Sequence, residues 1–129
     1  MSIGELARAT NVKIVTIRYY EQVGLMPAPA RTEGNYRAFN TQHSNRLQFI
    51  RRLRELGFTL DEVRDLLRLS SEKSQPCDDI DRITNAHLAT VEQKLRDLKK
   101  LASELRALSK RCKGGGRIAE CRIIEALTP

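Results

Sequence analysis

Apolar residues fall into two regimes along this 129-residue chain. Up to about residue 70 they come in short sets at helical spacing, each closed by a turn signal. "SIGELARAT" puts Ile3, Leu6 and Ala7 on one helical face. Ser2 is placed to cap that helix, with Glu5 three residues on as its capping-box partner. "NVK" makes a turn, and "IVTIRYYEQVGL" gives a second short helix that Gly24 stops. Val15, Ile17 and Leu25 are read as its packing positions, which leaves Lys13, Thr16, Arg18 and Tyr20 to point outward. Helix, tight turn and helix of this size is a helix-turn-helix unit. Two prolines and Gly34 then forbid a helix, and "RTEGNYRAF" fits a small hairpin turning at Glu33, Gly34 and Asn35. A third helix carries the stripe Leu47, Ile50 and Leu53 and ends at Gly57. A fourth begins at Thr59, with Glu62 at the capping-box position.

The second regime starts after a polar linker, residues 71–77. From 78 to 111 there is neither proline nor glycine. Leu88, Val91, Leu95, Leu98, Ala102 and Leu105 alternate spacings of three and four, which is a heptad seam. A helix of about 34 residues would run roughly 50 Å. Alone it has nothing to bury its stripe against, so it calls for a partner helix, most simply from a second copy of the chain.

Charge narrows the class of partner. Lys and Arg number 23 against 16 Asp and Glu, a net charge of +7. Such a surplus favours an anionic partner, above all nucleic acid. No apolar run approaches 18 residues, so no spanning helix is expected. The first residues lack a signal-peptide core, which points to the cytoplasm. Thiols stay reduced there, and three cysteines suit metal binding or redox chemistry better than a disulfide framework. Six aromatic residues, none of them Trp, leave little for a large aromatic substrate pocket.

Two constellations carry chemistry. In the first, Arg18 and Tyr20 on the second helix, with Lys13 and Thr16 at its start, join Arg31, Tyr36 and Arg37 on the hairpin. Donors that reach phosphates beside a helix able to enter the major groove are what duplex DNA requires. In the second, Cys112 and Cys121 bracket "KGGGRIAE", whose glycines let the loop fold back on itself. Two thiolates alone make a linear site suited to a monovalent soft ion. Cys77 stands at the other end of the long helix, beyond reach of that pair within one chain.

The stretches "IGELA", "VTIRYYEQVGLMPAPAR", "NYRAF" and "RLQFIRRLRELGFTLDEVRDLL" closely resemble MerR-type bacterial transcription regulators. The resemblance runs through the long helix to the cysteine-bracketed loop. It implies a mainly α fold: a winged helix-turn-helix DNA-binding domain, a long antiparallel coiled-coil dimerisation helix and a C-terminal metal-binding loop. The domains expected are 1–70 (helix-turn-helix about 3–23, wing about 27–40), linker 71–77, dimerisation helix 78–111, and metal loop with a short helix at 112–129. The family's DNA-contacting positions match Arg18, Tyr20, Tyr36 and Arg37. Antiparallel pairing would bring Cys77 of the partner subunit beside Cys112 and Cys121, one three-thiolate site per subunit.

Copper-type sensors of the family carry Ser where this chain has Cys77, whereas divalent sensors carry Cys. The resemblance therefore implies a sensor of soft divalent ions. Thiolates select lead, cadmium and mercury and also bind zinc. Zinc prefers four ligands, and Glu120 is the loop's one oxygen-donor side chain, so zinc is less favoured. Further expectations are a homodimer on double-stranded promoter DNA, with RNA polymerase as partner, no membrane, and activation of metal-resistance genes by distorting DNA. The alternative is a thiol-redox or monovalent-copper-type regulator using Cys112 and Cys121 only. No His or Asp is placed to activate a thiol nucleophile, which argues against an enzyme. His43 is expected on a solvated face and His87 at the helix interface. Asp78 and Asp79 are read as favouring a helix N-terminus.

Overall fold

The structure, a computed structural model, describes residues 1–31, 37–112 and 114–129; the side chains of Ala30, Arg31 and Arg37 also lie outside it. The elements in order are α1 (Ile3–Thr10), α2 (Ile14–Gln22), β1 (Ala30–Arg31), β2 (Arg37–Ala38), α3 (Thr41–Glu55), α4 (Leu60–Ser70), α5 (Asp78–Ser109) and α6 (Arg122–Leu127). A single 3-10 turn, Ile118–Glu120, precedes α6. The chain divides into two compact units, Met1–Ile80 and Asp81–Pro129.

The first unit closes around one apolar core. Leu6, Ile17, Leu25, Met26, Leu47, Ile50 and Val63 are all but sealed from solvent. Local signals set the helix ends. Ser2 Oγ accepts the Glu5 N–H at 3.1 Å. Thr59 Oγ1 accepts the Glu62 N–H at 3.2 Å while Glu62 Oε1 accepts the Thr59 N–H at 2.9 Å, a full capping box. Gly24 and Gly57 take φ of 79° and 89° just past α2 and α3, where a side chain would strain the left-handed turn. β1 and β2 pair antiparallel, Ala30 with Ala38 and Arg31 with Arg37. The turn expected at Glu33, Gly34 and Asn35 lies outside the described residues.

Arginine clasps onto backbone carbonyls complete this unit, two of them between residues distant along the chain. Arg46 Nε donates to the Leu25 carbonyl at 2.6 Å, and an Arg51 guanidinium N–H donates to the Thr10 carbonyl at 3.1 Å. Another from Arg54 reaches the Phe58 carbonyl at 2.7 Å. These carbonyls follow or end helices and have lost their helical partners, so the arginines satisfy acceptors left orphaned at helix ends.

His43 corrects an expectation. It is buried, not solvated. It stands third in α3, where Asn40 Oδ1 accepts its N–H at 3.2 Å and its Nδ1 accepts the Asn40 N–H at 3.1 Å. Its ring meets Phe39 edge-on at 5.3 Å. An imidazole here serves as the reciprocal member of a capping box, a role usually taken by Glu or Gln.

In the second unit no described residue is buried. α5 is 32 residues long, about 48 Å by its rise per residue. Leu88, Val91, Leu95, Leu98, Leu101 and Leu105 stand 44–64% exposed along it. Polar neighbours on the helix, such as Gln93 with Asp97 at 3.0 Å, form ordinary i,i+4 pairs. His87 is half-buried on α5.

Candidate functional site

The candidate DNA face is α2. Lys13 precedes it in extended conformation, and no side chain caps the helix through that residue. The Thr16 N–H turns back to the Lys13 carbonyl at 3.0 Å, and the amides of Ile14 and Val15 before it face the positive end of the helix dipole, where an anionic oxygen is favoured. Lys13 and Arg18 are exposed and Thr16 is half-buried. Tyr20 does not point outward: only 8% of it is exposed, and it belongs to the core with Ile17. Val15, read as a packing position, is 70% exposed. The physical reason is the helical period. At about 100° per residue, positions 15 and 17 lie on opposite faces, whereas 17 and 20 share one. Tyr19, Val15 and Gln22, which were overlooked, lie with Arg18 on the outward arc. Their i, i+3, i+4 and i+7 spacing was the signal that would have found them.

On the hairpin, Arg31 and Arg37 occupy paired positions across the two strands, although their side chains are not described. Tyr36 lies outside the described residues.

The thiol loop leaves the end of α5. Cys112 N–H donates to the Ser109 carbonyl at 3.1 Å. Gly114 and Gly115 follow at φ of 73° and 74°. Consecutive left-handed residues turn the chain back, which only glycine does without strain. Cys121 then occupies the N-cap of α6. Its thiol makes no full cap hydrogen bond, but the amides of Ile124 and Ile123 lie close enough to favour the thiolate and lower its pKa. The Cys112 side chain makes the smallest contribution to that lowering. Partial burial works in the opposite sense and outweighs the contribution of Cys112.

The pair borders a cavity of about 280 Å³ whose rim includes Arg111, Arg117 and Arg122. Such cations offset the charge of neighbouring thiolates. Lys113 lies outside the described residues. Cys77 is an exposed free thiol one residue before α5. Among the described residues of one chain, no three of His, Cys, Asp and Glu are grouped to hold a metal ion. One chain thus brings two of the three cysteines together. No helix of the described residues is long and apolar enough to cross a membrane.

Known proteins resemble the chain along nearly its whole length. The model of the MerR HTH family of regulatory proteins matches residues 1–70, and that of the MerR DNA-binding region matches residues 45–108. The mercuric resistance operon regulatory protein of Bacillus cereus is 43% identical over 125 residues, covering 97% of this chain and 95% of its own. Heavy metal-dependent transcription regulator 2 of Rhizobium meliloti is 35% identical over 127 residues, covering 98% and 86%. Among solved structures, the transcription regulator PbrR691 of Ralstonia metallidurans in complex with lead(II) superposes with a TM-score of 0.87. It is 40% identical and covers 99% of both chains.

Proposed function

The chain belongs to the MerR family of helix-turn-helix regulatory proteins, a non-enzymatic family, and on that premise we propose that it is a soft-metal-responsive transcription regulator. It acts in the cytoplasm as a homodimer on promoter DNA. The ligand is lead, cadmium or mercury, one ion per subunit, held by Cys112 and Cys121 of one chain and Cys77 of the partner subunit. Zinc fits this donor set less well, since it prefers four ligands.

The convergence of Cys112 and Cys121 on one cavity carries the reading. A pair of converged thiols beside a cationic rim, one short of a three-sulfur set, suits a soft divalent ion once a third thiolate arrives. The exposed leucine stripe of α5 supports the source of that third donor. Each buried leucine or valine contributes about 1.5–3 kcal/mol, so a stripe of five leucines and Val91 favours a paired helix strongly. Antiparallel pairing of α5 sets the residue before one helix beside the residues after the other.

On DNA, Lys13, Thr16 and Arg18 of α2 contact the major groove and its phosphates, with Arg31, Tyr36 and Arg37 on the wing. Tyr20 anchors α2 from within. Capture of the ion ties the 112–121 loop to the partner subunit and favours one of two dimer states. About 5 kcal/mol of differential affinity is enough to reverse such an equilibrium. The favoured state distorts the promoter so that RNA polymerase engages it, which is work on DNA shape.

A second reading, a redox or monovalent-copper-type switch, is favoured by the proximity of Cys112 and Cys121 alone. Ultraviolet titration of the reduced, full-length protein with lead, cadmium, mercury and zinc separates the two. The metal-sensor reading expects sulfur-to-metal charge-transfer bands that saturate at one ion per subunit and are lost or altered in Cys77→Ser. Bands indifferent to Cys77→Ser with every divalent ion would favour the two-thiol reading.

A further inference from the structure

Val15 is an aliphatic side chain left 70% exposed in the first turn of α2. Residues 14, 15, 18, 19 and 22 share one outward arc of that helix, with Val15 near its middle and the buried Ile17 and Tyr20 opposite. Lys13 lies just before the helix and Arg18 one turn along it. Both are exposed and can engage phosphates. Between them sits a group that can engage neither a phosphate nor a polar base edge.

The floor of the major groove is polar with one exception. Thymine presents a C5-methyl group there, and aliphatic side chains recognise it by contact. A β-branched residue in a helix holds essentially one rotamer, so its two methyls are presented without further ordering. The side chain is short, so it reaches the floor only if the start of α2 is seated deep in the groove. The N-terminal residues of a recognition helix are the ones that contact base edges, and Val15 is the second residue of α2.

We propose that Val15 reads a thymine methyl group in each half of the binding site, which makes it a determinant of DNA sequence specificity. The inference rests on the DNA-binding reading above. It assigns Val15 a role distinct from that of Lys13 and Arg18: they set affinity, and Val15 discriminates among sequences.

The test uses full-length protein and duplexes selected by it from a randomised pool at fixed salt. Each thymine of the selected duplex is then replaced by uracil, which removes only the methyl group. For the unchanged protein, one replacement in each half-site weakens binding about fivefold, the scale of one lost methyl contact. Val15→Ala binds the thymine duplex about fivefold more weakly, and its binding no longer responds to uracil at that position. Its salt dependence stays the same, because no phosphate contact is lost. Val15→Thr keeps one methyl at the same branch and loses less.

The proposal is overturned if every uracil replacement is neutral, or if Val15→Ala retains full sensitivity to it. A pool that yields no enriched sequence overturns the DNA-binding reading and this inference with it. Enrichment without any uracil effect overturns the inference alone.

Discussion

Residues 1–80 and 81–129 bury their leucines differently. In the first unit Leu6, Leu25 and Leu47 are sealed, and arginines reach across 21 and 41 residues to satisfy stray carbonyls. In the second, Leu95, Leu98 and Leu105 are each more than half exposed, and none of its described residues is buried. Composition does not separate the two, since both are rich in leucine and in charge. The difference is completeness. The first unit is a finished core within one chain, whereas the second leaves its leucine stripe exposed and its loop sets two thiols on one cavity, which the proposed function completes with a partner helix and a third thiol.

The contrast breaks most visibly at Leu95. Leu95→Glu is expected to weaken self-association about a thousandfold. Two symmetric copies each forfeit the roughly 1.5–3 kcal/mol of a buried leucine and gain a charge instead. Sedimentation would show monomers, while hydrogen exchange within residues 1–70 stays unchanged. An unaltered dimer would mean that the stripe is not the interface.

Leu47→Ala probes the other side. It opens a cavity in a sealed core and should lower stability by about 2–5 kcal/mol in urea unfolding. A loss below about 1 kcal/mol would show that the first unit is less tightly packed than its burial indicates.

Thr59→Ala removes half of the α4 capping box, and about 1 kcal/mol of stability should go with it. Thr59→Ser should restore most of that, because the hydroxyl remains. Failure of the serine variant to recover would shift the cause from the cap to the lost methyl.

The smallest effect is on acidity. Peptide-resolved alkylation of Cys121 in the metal-free protein should have its pH midpoint below that of a free thiol. In urea the midpoint should move upward. The sign follows from the lowered folded-state pKa. The stabilisation is present above the unfolded thiol value and is lost as pH falls through the folded one. Equal midpoints in folded and unfolded protein would remove the α6 amides from the account of Cys121.

Much of the fold was legible because its signals are local. The Leu47, Ile50 and Leu53 stripe, the Thr59–Glu62 box and the stops at Gly24 and Gly57 each lie within a few residues of what they specify. Two errors came from within α2. Val15 and Ile17 were put on one face although two residues of helix separate them by more than half a turn. Tyr20 was turned outward because tyrosine suits either environment. His43 was missed because imidazole rarely closes a capping box. The Arg46 and Arg51 clasps leave no local signal, since their partners are backbone carbonyls 21 and 41 residues away. At the candidate site, the glycines announce a loop that folds back and sets Cys112 and Cys121 on one cavity. The placing of Cys121 at the N-cap position of α6 has its signal in the short apolar run that follows it. The third donor of the proposed site would come from assembly, and only the length of α5 hints at it.

The central claim is that a complete metal site needs two chains, and a mixed dimer tests it directly. One chain would carry Cys77→Ser and the other Cys112→Ser with Cys121→Ser, and the heterodimer would be purified by two different tags. Each variant alone should fail to give the three-sulfur charge-transfer band with lead(II). In the heterodimer, the first chain supplies the loop pair and the second supplies Cys77, so the band should return at one ion per heterodimer. A heterodimer as silent as either parent would contradict the shared site.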